Sequence, residues 1–115
     1  MTNRSTFFLI TAVVEIATGA ALLAVPALVL AALLGVLSPA ADTVVVARIL
    51  GTALVAIGVT CALARGESRA TDRAVLMGIA VYDVLVTLVL AFTGASLGMA
   101  GPALWSAVAL HTLLA

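Results

Sequence analysis

The chain has no lysine, one cysteine and one histidine, and only ten charged side chains in 115 residues, five arginines and five acids. Each shortage excludes something. With a formal net charge of zero there is no basic footprint for a nucleic-acid partner. A single cysteine, Cys61, cannot close an intrachain disulfide and is expected to act as a small apolar filler. One histidine and one cysteine on different segments lack metal-ligand spacing, and a haem with two axial histidines would need one from each of two chains, so no metal and no cofactor is expected. The sequence contains neither a Gly-rich phosphate loop after a strand nor a nucleophile elbow. Charge is the most telling shortage. A soluble domain is about a quarter charged, whereas here the share is 9%, too little to coat a core in water.

Hydrophobic residues make up 65% of the chain, which places it in the lipid bilayer as an integral membrane protein. The opening "MTNRSTFFLIT" resembles a signal peptide, but its apolar run continues too far and is expected to stay as a signal anchor. A spanning helix needs about 20 predominantly apolar residues. The punctuation then predicts one all-α domain over residues 1–115, a four-helix transmembrane bundle with spans near 6–24, 43–64, 72–92 and 98–114. Pro26 lacks an amide hydrogen and suits the first turn of a helix, so a short extra helix or kink is expected from Pro26 to about Gly35. Pro39 ends that segment, and Asp42 is the expected N-cap of the second span. Thr71 or Asp72 is the expected cap of the third, and Pro102 the opening residue of the fourth.

Arg4 precedes the first span, and Arg65, Arg69 and Arg73 cluster with Glu67 and Asp72 in the loop between the second and third. The positive-inside rule places that loop and both termini in the cytoplasm.

Ionisable residues inside the spans are the unusual feature. A charge at the bilayer centre costs at least about 2.5 kcal/mol, so such residues face the bundle interior and find partners. Glu15 and Asp83 both fall roughly 14 Å from the cytoplasmic ends of their spans at the helical rise, and so share the midplane. Two ionised carboxylates at one depth repel each other, and a proton held by one of them is the expected relief. Arg48, the only permanent cation inside the bilayer, is expected to reach down toward them. Thr11, Glu15, Thr18 and Gly19 form one polar or small stripe, and Arg48 with Thr52 and Asp83 with Thr87 repeat the pattern. Ala47, Gly51 and Gly58 offer a small face for a neighbouring helix. Across the turn near Ser96, Asp83 opposes about Val108, leaving His111 one turn away and within reach directly or through water. Tyr82 can supply a hydroxyl, and Trp105 is either a ligand contact or an interfacial anchor.

Three functional readings follow. In the first, Glu15, Arg48, Tyr82, Asp83, Trp105 and His111 bind a small or lipophilic ligand. In the second, Glu15 and Asp83, assisted by Arg48, act as acid and base without a cofactor on a terpenoid, polyketide or quinone-like substrate, as in an isomerase, cyclase or epoxide-opening enzyme. In the third, the polar groups only join helices in a structural subunit of a membrane complex. A homo-oligomer is compatible with each, and a transporter would require one.

The E-x-x-x-G at Glu15 and Gly19, Pro26, Gly35, the A-R-x-x-G from Ala47 to Gly51, Gly58, the "YD" at Tyr82 and the G-P-x-x-W-x-x-x-x-x-H from Gly101 to His111 form a pattern covering nearly the whole chain. In this pattern the chain resembles a group of small bacterial four-helix integral membrane proteins of unknown function, loosely similar to DoxX-like proteins. The resemblance implies the bacterial inner membrane, a shared polar interior, and an analogy to membrane redox complexes or quinones. In that group the residue after the tyrosine is often asparagine, so Asp83 is a departure.

Overall fold

Proline and glycine set the helix boundaries. The computed structural model describes residues 3–65 and 69–115; Glu67, expected in the polar loop, lies outside the described residues. Five helices follow one another: α1 (Asn3–Ala24), α2 (Pro26–Leu34), α3 (Ala41–Ala64), α4 (Arg69–Ser96) and α5 (Leu104–Leu114). Among the described residues there is no strand.

Pro26 is the first residue of α2, and Val25 before it is non-helical (φ −134°, ψ 56°), as the restriction on a residue preceding proline requires. The expected short helix is therefore present. It closes on Gly35 in the left-handed conformation (φ 72°), whose N–H donates to the Ala31 carbonyl at 3.0 Å. An L side chain in that conformation meets its own backbone, so Gly35→Ala is expected to lower stability by about 1–2 kcal/mol, read from thermal unfolding in detergent.

Two expected caps move. The N-cap of α3 is Ala40, and Asp42 lies in the first turn, where its carboxylate accepts the Thr43 N–H at 2.7 Å and faces the positive end of the helix dipole. Likewise α4 begins at Arg69, with Asp72 in its first turn rather than at its cap.

The expected count of four spans becomes three. α1, α3 and α4 are long and apolar enough to cross a membrane, but α5 has 11 residues, about 16 Å against a hydrocarbon core of about 30 Å. The difference arises in "TGASLGMAGP". Its first part extends α4 to Ser96, and its remainder forms a turn through Gly98 (φ 65°), so these residues add no helix to α5. Pro102 lies in this turn and Ala103 is the N-cap. The turn has another role: the Gly101 N–H donates to the Leu33 carbonyl at 2.9 Å and the Ala103 N–H to the Ala32 carbonyl at 2.8 Å. These bonds satisfy carbonyls left open at the end of α2 and tie α2 to the start of α5.

α1 and α3 pack with their backbones in near contact. A Cβ on Gly19 would stand 2.6 Å from the Gly51 carbonyl oxygen, and one on Gly51 would stand 2.7 Å from the Gly19 carbonyl oxygen. The small face expected from Ala47, Gly51 and Gly58 is thus the seam with α1. Two apolar clusters lie along the molecule. Phe8, Ala12, Cys61, Ala64 and Ile79 form one, and Leu22, Leu30, Ala47 and Leu54 the other. Along α1 they fall on opposite sides of Glu15. Away from these clusters the long helices expose Ile49, Leu63, Leu88, Val89 and Phe92 among other large apolar side chains, a surface suited to hydrocarbon rather than water.

Candidate functional site

Between the two apolar clusters α1, α4 and α5 each contribute to one polar layer. On α1, Phe8, Thr11, Ala12, Glu15, Gly19 and Leu22 are the buried face, following the three-and-four spacing of a helix, so Glu15 is drawn inside by its neighbours. On α4, Ile79 and Asp83 are buried one turn apart, with Tyr82 and Thr87 half-buried beside them. Asp83 stands fourteen residues from Arg69 and thirteen from Ser96, at the middle of α4. α5 runs back along α4 and brings in His111.

The contacts are direct. The Tyr82 hydroxyl donates to Glu15 Oε2 at 3.2 Å. His111 Nδ1 lies within hydrogen-bond distance of Asp83 Oδ1, at 2.7 Å. The Tyr82 and His111 rings meet edge to face with centroids 5.7 Å apart, linking the two pairs. The carboxylates are sealed, Glu15 being 1% exposed and Asp83 0%. Yet Glu15 Oε1, Asp83 Oδ2 and the Thr11 and Thr87 hydroxyls are buried with no hydrogen-bond partner among the described residues.

No family model matches the chain, and neither the curated proteins nor the solved structures include a match to it. The reading of the site therefore rests on its geometry.

Of the six residues expected at the site, four come together. Arg48 does not. It is exposed on α3, where the Thr52 hydroxyl donates to its backbone carbonyl at 3.1 Å. The reason is angular: Ala47, one residue earlier, is buried in the α1 seam with Gly51 and Leu54, and a step of about 100° turns Arg48 away. Trp105 is 53% exposed and stands beside Gly94 near the start of α5, a place that suits its anchoring alternative. Arg4, Arg65 and Arg73 are also exposed. Among the described basic side chains, His111 alone is seen to reach the layer.

That leaves two carboxylates and one imidazole to balance their own charge, and a buried charge left uncompensated is costly. Protons, or a cation from outside the chain, must complete the balance. A carboxylate oxygen of Glu15, one of Asp83 and a ring nitrogen of His111 lie within 4.8 Å of one another. Sequence spacing did not reveal this donor set, because its members come from three helices and only the folded chain places them together.

Sequence reasoning also missed the approach to the layer. A cavity of about 370 Å³ opens between α3 and α4, lined by Ala56, Ile57, Thr60, Cys61, Gly78 and Tyr82 among others. Its walls are almost wholly apolar, and Tyr82 is the residue it shares with the polar layer. The sequence signal for it is the set of small residues at 56, 61 and 78.

Proposed function

We propose that this chain is a small multi-pass membrane protein that binds a lipophilic ligand, taken from the bilayer through the cleft between α3 and α4 and held by its polar end at the Glu15, Tyr82, Asp83 and His111 layer. One observation carries this reading: Tyr82 lines the apolar cleft and at the same time donates to Glu15. An apolar pocket with a few convergent polar groups is the usual form of a small-molecule site, and the unpartnered carboxylate oxygens are acceptors for a ligand's donors. The loose resemblance to DoxX-like proteins suggests, by analogy, a quinone as that ligand.

For orientation, Arg4 and Arg73 line one cavity and the Arg65 Nε donates to the Ser5 hydroxyl at 3.4 Å, so three arginines gather at one end of the molecule. The positive-inside rule makes this the cytoplasmic end. The expected cytoplasmic position of the C-terminal segment required a fourth crossing. α5 has 11 residues, and His111, in contact with Asp83, sits level with the middle of α4 with Leu114 about 4.5 Å further along.

A second reading, acid and base catalysis on a lipophilic substrate, keeps Glu15 and Asp83 and adds His111: at 2.7 Å Asp83 can orient the imidazole, which makes it an effective proton acceptor.

Gly78 provides the test. A Cβ there meets no described heavy atom within 4 Å, so Gly78→Leu starts its side chain in open space at the cleft wall and improves helix propensity by roughly 1 kcal/mol. The variant is expected to fold at least as well as the parent while losing roughly tenfold or more in binding of a short-tailed quinone, and in co-purified lipophilic material measured by mass spectrometry, the loss of about 1.4 kcal/mol of binding. Equal occupancy in parent and variant would sink the cleft as the route.

A further inference from the structure

We infer that Glu15, Asp83 and His111 form a binding site for one divalent first-row transition-metal ion inside the membrane. The inference rests on reading this layer as a binding site, and it goes beyond a purely organic ligand.

Donor chemistry comes first. Two carboxylates and one imidazole, with no thiolate among them, suit zinc, manganese or iron(II) better than copper(I) and, because of the imidazole, better than magnesium or calcium. Geometry agrees. The three donor atoms lie within 4.8 Å of one another, whereas bonds of about 2.0–2.2 Å place neighbouring ligands roughly 3.0–3.6 Å apart. Side-chain rotations that close the set by under about 2 Å complete the triad. The free atoms are also where they are needed: Glu15 Oε1 and Asp83 Oδ2 are buried without a partner among the described residues, on side chains that are 1% and 0% exposed.

Charge agrees. A bound metal ion takes its carboxylate ligands ionised and its imidazole neutral, a set of −2 that one divalent ion cancels while Arg48 faces outward. The rest of the layer then supports the ligands. Tyr82 donates to Glu15 Oε2, and the Thr11 hydroxyl, one helical turn from Glu15, is buried and free to orient it. Such supporting contacts alter metal affinity by about 10- to 100-fold. Three protein ligands leave at least one coordination position open, as in catalytic rather than structural sites.

The test uses the full chain in detergent, stripped with a chelator and desalted, then titrated with zinc, manganese and cobalt(II). One equivalent per chain is expected by elemental analysis, with visible absorption bands from the cobalt form. Glu15→Gln and Asp83→Asn should each weaken retention at least tenfold, and His111→Gln should abolish the cobalt bands. Gly78→Leu should lose the quinone probe and keep the metal, so that the cleft and the metal site fail separately. Circular dichroism of every variant confirms that it is folded. The inference is overturned if the folded parent binds less than a tenth of an equivalent, or if folded His111→Gln and Glu15→Gln bind as much as the parent.

Discussion

Gly51→Leu is expected to separate α1 from α3 and leave the protein largely unfolded or aggregated in mild detergent. A single Cβ at this position already stands 2.7 Å from the Gly19 carbonyl oxygen and 2.9 Å from the Leu22 Cβ. The first of these is backbone, which no change of rotamer relieves, and Gly19 is equally constrained by Gly51. Overpacking typically costs 1–3 kcal/mol where side chains yield; here Gly51→Ala should cost about that much and Gly51→Leu about 3 kcal/mol or more. Lipid adds no hydrophobic force to hold the helices together, since association in a bilayer depends on close packing and hydrogen bonds. Because α1 carries Glu15, moving it also dissolves the Tyr82 contact. Unfolding by a graded mixture of denaturing and mild detergent measures the series, and stability unchanged in Gly51→Leu would contradict the seam described here.

The second large effect concerns ligand rather than fold. Glu15→Gln and Asp83→Asn keep the shape of each side chain and remove its negative charge. Polar contacts between helices in membranes average about 0.6 kcal/mol, so each variant should stay within about 1 kcal/mol of the parent in stability. A hydrogen bond to a charged group is worth about 1.5–3 kcal/mol, so binding of the quinone probe should fall roughly 10- to 150-fold. If a product disappears in cells while the folded variant persists, the catalytic reading gains. Loss of binding with no turnover to lose supports the ligand reading. Should both variants bind the probe and sustain the native phenotype, the layer only joins helices. The double variant separates linked from independent roles, since residues acting as one unit lose less together than the sum of their single losses.

Much of this arrangement was legible in the residues. Glu15 lies on a helical stripe with Thr11 and Gly19, and that stripe is the buried face of α1. Asp83 with Thr87 likewise marked the inner face of α4, and the hairpin register brought His111 within a turn of Asp83. The structure closed that gap to a direct contact. Arg48 shows where such reasoning stops. Residues Arg48 and Thr52 formed a polar face and Ala47, Gly51 and Gly58 a small one, both on the same helix and about 100° apart. Periodicity identifies faces without saying which one a partner covers. The close fit of glycine backbones decided it, and Arg48 went outward.

The fourth span failed for a related reason. Apolar composition from Leu97 to Leu114 reads as a crossing, but composition does not count the residues taken by a turn. The turn at Gly98 to Ala103 bonds to the end of α2, and what is left as helix is too short to cross.

From the sequence alone came the apolar class of the chain, its helical punctuation at Pro26 and Gly35, and the presence of carboxylates at one depth, because composition and period are local properties. Tertiary structure alone decided which cation stays out, which oxygen atoms remain without partners, and how Glu15, Asp83 and His111 meet, because these depend on the rotation and spacing of helices far apart in the chain.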